Sequence, residues 1–194
     1  MVRLLDAAEE LLEARGVSGM TISAIVKEAR SSVGAFYARF DDKDTLLRCL
    51  FERFYREAEL TADAALDPGR WADLPLRETL ASTIAFTAAT FLERRGIIAA
   101  IEERSVTDPD LTEPARALGA LISERLLALA AARGEVFGHP DPERAVALCV
   151  WLVLSALGNW AYSGADDNAP PGDPAVFAAE VTDMVYRYLF SSRG

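Results

Sequence analysis

The sequence predicts an all-α protein. Apolar residues recur at i, i+3 and i+4 along most of the chain, clusters of Pro, Gly and Asp interrupt that pattern at helix-length intervals, and no stretch alternates apolar with polar residues as a half-buried strand does. The expected helices lie near 3–15, 21–29, 32–40, 43–66, 76–94, 97–106, 114–134, 141–163 and 174–190, with no repeat or low-complexity segment. A chain of 194 residues suffices for one compact core, or for a small domain joined to a larger one. Half of it (51%) is hydrophobic, which excludes a disordered tail.

Leu4, Leu5, Ala8, Leu11 and Leu12 give the first helix its stripe, and Gly16 is its stop signal. Ile22, Ile25, Val26 and Ala29 give the second. Ser31 and Ser32 then break the pattern and offer hydroxyls that accept an orphan backbone N–H at a helix start. Phe36, Tyr37 and Phe40 resume the spacing, and Asp42 can cap a helix beginning near Lys43. Two short helices joined by three or four residues fit an ordinary αα-hairpin as well as a helix-turn-helix, whose second helix lies in a DNA major groove. Leu46, Leu47, Leu50, Phe51, Phe54, Tyr55 and Ala58 make a long fourth helix leading into the rest of the chain.

Breaks follow at Asp67-Pro68-Gly69, Leu74-Pro75, Arg95-Gly96, Asp108-Pro109 and Gly138-His139-Pro140-Asp141-Pro142. The stretch 164–174, with three prolines and two glycines, is the expected mobile loop. Asp141-Pro142 and Asp173-Pro174 each set an N-cap acceptor before a proline at the first helical position.

Residues 145–165 carry no charge and meet the length criterion for a membrane span. They also hold Ser155, Gly158 and Asn159 and lack the Lys/Arg-rich flanks that set orientation, so a helix buried on several sides is the expectation, with no membrane partner. Val146, Cys149, Val153, Leu157 and Trp160 form one stripe for the core; Leu148, Trp151, Leu152, Ser155 and Tyr162 form a second for a partner subunit. Cys49 and Cys149 sit in apolar helical stretches and read as small buried hydrophobes ahead of a disulfide or redox pair. Asp6, Glu9, Glu10 and Glu13 stand where a secretory signal would be apolar, so a cytoplasmic location is expected.

The net charge of −10 opposes DNA binding, which rests on cations meeting phosphates. The excess is uneven: residues 1–46 carry six Lys/Arg against eight Asp/Glu, and the remainder carries fourteen against twenty-two.

Residues 3–47 resemble the DNA-binding domain of the tetracycline-repressor (TetR) family of bacterial transcription regulators. Glu13-Ala14-Arg15-Gly16 ends the first helix and Thr21 opens the second. Residues 29–40, Ala-Arg-Ser-Ser-Val-Gly-Ala-Phe-Tyr-Ala-Arg-Phe, follow the family's Ala-Gly-Val-Ser-x-Gly-x-Leu-Tyr-x-His-Phe, and Lys43 and Leu46 match the start of its fourth helix. The resemblance implies a three-helix DNA-binding domain with a helix-turn-helix over residues 1–46, then a larger helical ligand-binding and dimerisation domain over 47–194. It implies that Ser31, Ser32, Val33, Ala35 and Phe36 face the groove and that Gly34 allows close approach. Thr21, Tyr37, Arg39 and Lys43 would hold phosphates. Packing of the Tyr37 ring and a solvated Lys43 are the plainer readings of those two residues, and for Tyr37 both can hold.

Residues 76–163 would then form a sensor, with Phe86, Phe91, Ile98, Ile101, Leu118, Ile122, Trp151 and Leu152 lining a cavity and Glu102 and Asn159 orienting a ligand. The last two long helices would build a four-helix-bundle homodimer. Ser155, Ala156, Gly158 and Ala161 would permit close approach there, and Val181, Met184, Val185, Tyr188 and Leu189 would supply a matching stripe.

Three departures from the family pattern stand out. Arg30 replaces the turn glycine, at a cost of roughly 1 kcal/mol or more if its backbone is left-handed. Val33 stands where lysine is frequent and can touch a thymine methyl instead. The chain starts almost at the first helix, so a basic N-terminal arm is expected to be missing.

Catalysis is not expected. The only histidine, His139, lies in a Pro-rich turn; there is no phosphate-binding glycine motif and no metal-ligand spacing; and the adjacent Glu102 and Glu103 point about 100° apart on a helix. The expected partners are a pseudo-palindromic double-stranded DNA operator, a small, largely apolar effector and a second copy of the chain, with no cofactor. The expected function is a repressor released by its effector. A non-enzymatic helical adaptor with a degenerate helix-turn-helix is the alternative.

Overall fold

The computed structural model describes residues 1–71, 74–106, 108, 111–163 and 173–191. Among these are nine α-helices, one 3-10 turn (Pro68–Trp71) and no strand. The helices are α1 (Val2–Gly19), α2 (Ile22–Glu28), α3 (Val33–Tyr37), α4 (Lys43–Ala65), α5 (Leu76–Glu93), α6 (Arg95–Ser105), α7 (Thr112–Ala132), α8 (Pro142–Ser163) and α9 (Pro174–Phe190). Most of the expected mobile loop, 164–172, lies outside the described residues, as does Pro109.

Two bounds differ from expectation for local reasons. Gly16 leaves the helical conformation (φ 65°, ψ −175°) where a stop was expected, but another helical stretch follows it, so α1 is kinked rather than ended. Helix α3 is shorter than 32–40; its last turn closes through Arg39 N–H and Phe40 N–H donating to the Phe36 carbonyl, which returns Phe40 to the core.

The helix starts in the N-terminal head are set by the residues the sequence marks. Thr21 Oγ1 accepts from Ala24 N–H (3.1 Å), Ser32 Oγ from Ala35 N–H (3.1 Å) and Asp42 Oδ1 from Thr45 N–H (2.7 Å). The Thr45 backbone bond, followed by the Thr45 hydroxyl, holds the Asp42 carboxyl below its usual range. Leu5, Leu12, Ile25, Phe36, Phe40, Leu46 and Leu50 fill the head's core. That core does not end at residue 46, which lies within α4; the same buried cluster continues into Ile97, Ile98, Ala100, Ile101 and Leu118.

The head and the remaining helices, the body, meet along α1 and α6. A Cβ on Gly96 would lie 2.6 Å from the Leu12 carbonyl oxygen and 2.7 Å from Glu13 Cα, so the two backbones touch. Glu13 accepts from Gly96 N–H (2.8 Å) and Ile97 N–H (3.0 Å), capping α6 from another helix. Beside it, Arg53 bonds Asp6 and Glu9 (2.6 Å each), and Arg94 bonds Glu57 (2.8 Å) and Glu9.

In the body α5 packs on α9, α7 on α4 and α8, and α6 on α8. Helix α8 divides as its two stripes imply. Val146, Cys149, Leu157 and Trp160 are buried, whereas Leu148, Trp151, Leu152, Ser155 and Tyr162 are exposed. Length and composition would let Pro142–Tyr162 cross a membrane, but half of that window is buried inside the protein. Two expectations for a partner-facing surface are corrected. Gly158 and Ala161 are buried within the chain, Gly158 against Glu102, and of the α9 stripe Val185 and Leu189 belong to this chain's own core while Met184 is exposed.

Candidate DNA interface and effector cavity

The turn before α3 presents a polar, open surface. Ser31, Ser32, Val33, Gly34 and Tyr37 are exposed, with Val33 at 49% and Tyr37 at 54%. Around Gly34 a Cβ would meet only Ser32 Oγ, at 4.0 Å, so nothing inside the chain requires a glycine there. The Tyr37 ring packs edge-on against Phe36, with centroids 5.4 Å apart, and still reaches solvent.

Charge pairing offsets much of the unfavourable count of the first 46 residues. Asp6 and Glu9 are bound by Arg53, Asp44 by Arg104, Glu13 by α6 N–H groups, and Asp42 caps α4. Lys27, Arg30, Arg39 and Lys43, which flank α3 in the chain, have no ion-pair partner among the described residues. Ion pairs and caps thus engage five of the eight carboxylates of residues 1–46, leaving Glu10, Glu28 and Asp41 exposed beside cations that are open to an outside anion.

Arg30 takes φ 47°, the only positive φ at a non-glycine among the described residues. Arg3 steadies that turn: its guanidinium donates to the Ala29 carbonyl (2.7 and 3.2 Å) and the Arg30 carbonyl (2.9 Å).

In the body, helices α4 to α9 surround a cavity of about 1060 Å³. That is near the upper end of small-molecule sites, roughly 300–1,000 Å³. Its floor includes Phe54, Tyr55 and Ala58 of α4; its walls come from α5, α6, α7 and α8, with Val185 and Leu189 of α9. Burial, reinforced by the negative charge of Glu102, pushes the Tyr55 hydroxyl up to about 12, and burial pushes the Cys149 thiol up to about 11. Both are protonated, and no thiolate is available for reaction at neutral pH. No group of three or more His, Cys, Asp or Glu among the described residues is placed to hold a metal.

A sequence model of the family described as bacterial regulatory proteins, tetR family, matches residues 4–50. The N-terminal head is a TetR-family DNA-binding domain. The whole chain shares its fold with solved regulators of that family. A Mesorhizobium loti protein assigned to TetR-family transcriptional regulators superposes with a TM-score of 0.75 at 15% identity, covering 96% of this chain and 93% of its own. The transcriptional regulator FadR of Bacillus subtilis, solved with stearoyl-CoA, gives 0.69 at 16% identity over 100% and 99%. The TetR-family regulator PfmR of Thermus thermophilus gives 0.65 at 21% identity over 95% and 97%. No curated protein sequence matches the chain significantly.

Within the TetR head, one groove-facing expectation is corrected. Phe36 is fully buried (0% exposed) in the head's apolar cluster, with its ring against Tyr37 and Phe40; it cannot reach a base. Thr21 and Ser32 use their hydroxyl oxygens as helix caps, and the Arg39 guanidinium donates to the Ala35 carbonyl (2.9 Å). Ala35 and Lys43 are half-buried at the edge of the same surface.

In the body, Phe86, Phe91, Ile98, Ile101, Glu102, Leu118, Ile122 and Trp151 all line the cavity. Leu152 and Asn159 do not; both lie on the outward side of α8. Trp151 lines the cavity from the rim, 64% exposed, as does Phe86 at 52%.

Sequence reasoning missed Lys27 as a free cation, Arg3 as the clamp on the turn and Glu13 as the cap of α6. Arg3 and Glu13 act across separations of 26 residues or more, beyond any local pattern. Thr83 and Thr87 on α5 were a readable signal for one wall, since i+4 spacing places both on one face.

Proposed function

We propose that the chain is a homodimeric, ligand-responsive repressor, with residues 1–46 reading DNA and 47–194 sensing and dimerising. The observation that carries this reading is the physical link between the open cationic surface and the cavity. Helix α6 lines the cavity through Ile98, Ile101 and Glu102, while its first turn is bonded to Glu13 of the head. A small molecule that moves α6 therefore moves α1, and with it the angle at which α3 meets DNA. The effector acts through its differential affinity for a DNA-competent and an incompetent arrangement. FadR in complex with stearoyl-CoA is a protein of this fold holding an amphiphile, which supports a ligand-taking role for the body.

In this reading Ser31, Ser32, Val33, Gly34 and Ala35 approach base edges, and Tyr37, Arg39, Lys43, Lys27 and Arg30 approach phosphates. The exposed stripe of Leu148, Trp151, Leu152 and Tyr162 meets its copy in a partner chain. Family regulators are soluble DNA-binding proteins, and a cytoplasmic location fits that role.

A two-fold protein requires a two-fold site. Selection of DNA fragments on the purified protein should enrich a pseudo-palindrome, and in gel shifts a full site should be held far more tightly than one half-site. Equal affinity for both would sink the dimeric mechanism. Recovery of no enriched sequence would favour the adaptor alternative.

A further inference from the structure

The charged residues lining the cavity are Glu57, Arg94, Glu102 and Arg116. Three of them are committed elsewhere. Arg94 is bonded to Glu9 and Glu57, and Arg116 holds Glu113 in three hydrogen bonds of 2.6–3.0 Å. Glu102 alone of the four has no ion-pair or hydrogen-bond partner among the described residues. Its carboxylate stands against α8, where a Cβ on Gly158 would come within 2.8 Å of Oε1; the glycine makes the room the carboxylate occupies. Glu102 also lies one turn from the C-terminal end of α6, where the helix dipole is negative and favours a cation.

Part of the remaining polar wall, which also includes Tyr55, Thr61, Thr112 and Ser155, reinforces that sign. Thr83, Thr87, Thr90 and Ser123 donate their hydroxyl protons to carbonyls of their own helices at 2.8–3.0 Å, so toward the cavity they offer lone pairs and methyl groups. Both cavity arginines are already neutralised. A ligand's anionic group would therefore meet like charge and few donors, whereas a cation would meet an unpaired carboxylate beside a large apolar volume.

From this geometry we infer that the cavity selects amphiphilic or aromatic cations, with the positive centre held at Glu102 and the apolar part among Phe54, Phe91, Ile98 and Leu118. The inference rests on the effector reading above and deepens it by naming the ligand's charge. Glu102 is the specificity-determining residue, and Gly158 positions it.

Tetraphenylphosphonium and tetraphenylborate, which share size and shape and differ in sign, test the inference by calorimetric titration of the full-length protein. The phosphonium should bind about tenfold more tightly, equivalent to ~1.4 kcal/mol. Glu102→Gln should bring the two ions within about threefold, chiefly by weakening the cation. Glu180→Gln, which removes an exposed charge on α9 outside the cavity lining, should leave the ratio unchanged and so controls for the protein's overall negative charge. Gly158→Ala keeps the carboxylate but displaces it, and should lower the preference while the protein stays folded. Equal binding of the two ions, preference for the borate, binding of neither, or a ratio unaffected by Glu102→Gln would each overturn the inference. Release of the selected DNA fragment is read in parallel. Glu102-dependent cation binding without DNA release would keep the inference and sink the effector reading.

Discussion

The head and the body begin most of their helices by different means. In the head, α2, α3 and α4 each start on a side chain of their own: Thr21, Ser32 and Asp42 each accept the N–H three residues on. In the body, α8 and α9 also start on their own aspartates, Asp141 and Asp173, but α5, α6 and α7, three of the helices around the cavity, start without a side-chain cap of their own, as α1 of the head does. Helix α6 borrows its cap from Glu13 of the head. The head is therefore locally specified and packed solid, with its polar chemistry facing outward. The body surrounds a large, partly open cavity, and three of the helices around it lack a local cap, the condition under which elements shift at low cost. A switch needs both: a rigid reader, and a sensor whose parts can move relative to it.

The junction is where that contrast can be broken most severely. Gly96→Ala puts a methyl group 2.6–2.7 Å from backbone atoms of Leu12 and Glu13, and backbone cannot step aside as a flexible side chain can. Helix α6 must then leave α1, stretching both bonds to Glu13. Overpacking of this kind costs roughly 1–3 kcal/mol, and loss of the cap adds to it. Of all these substitutions, Gly96→Ala should therefore lower the urea midpoint most. An unchanged midpoint would mean that the backbones are not in contact in solution.

A smaller effect is expected at the DNA surface, because each contact there is single and exposed. Lys43→Ala should weaken binding to all DNA sequences alike and reduce the salt slope by about one unit. Tyr37→Phe keeps the ring that packs on Phe36 and removes only the hydroxyl, so the fold should persist while affinity falls by about 1 kcal/mol, the worth of one hydrogen bond. Wild-type affinity and salt dependence in both, as folded dimers, would move the DNA face away from α3 and place the adaptor reading first.

The same contrast governs what was legible in the sequence. Most helix positions, the caps at Ser32 and Asp42 and the two faces of α8 follow from short-range signals that the structure reproduces, whereas Gly16, expected to stop α1, only kinks it. Eight of the ten expected cavity residues line the cavity: Phe91, Ile98, Ile101, Leu118 and Ile122 on inward apolar stripes, Phe86 and Trp151 from the exposed rim, and Glu102 as its carboxylate. Leu152 and Asn159 failed because α8 is apolar on two faces, and sequence cannot say which face is inner without the neighbouring helices. Phe36 failed for the opposite reason. The first turn of α3 was assigned to the groove as a unit, but a helix of this length must turn one residue inward to stay attached, and burying a Phe contributes about 1.5–3 kcal/mol. Long-range polar contacts such as Glu13 on α6 leave no periodic trace at all.

The gentlest probe of the head's local specification is its one strained residue. Arg30 at φ 47° sits where glycine is at ease, and a left-handed L-residue costs roughly 1–2 kcal/mol. The Arg3 guanidinium offsets part of that by binding the Ala29 and Arg30 carbonyls, which are backbone groups and survive substitution. Arg30→Gly relieves the strain but gives the unfolded chain more freedom, at about 0.5–1 kcal/mol, so the net gain in stability should be only about 0.5 kcal/mol. The substitution also removes one of the unpaired cations beside α3. Urea denaturation should therefore show a slightly later midpoint while DNA binding loses about one unit of salt slope. A more stable protein with unchanged salt dependence would restrict Arg30 to a conformational role. A less stable one would show that the turn is not strained in solution, and that the arginine is held by more than the clamp from Arg3.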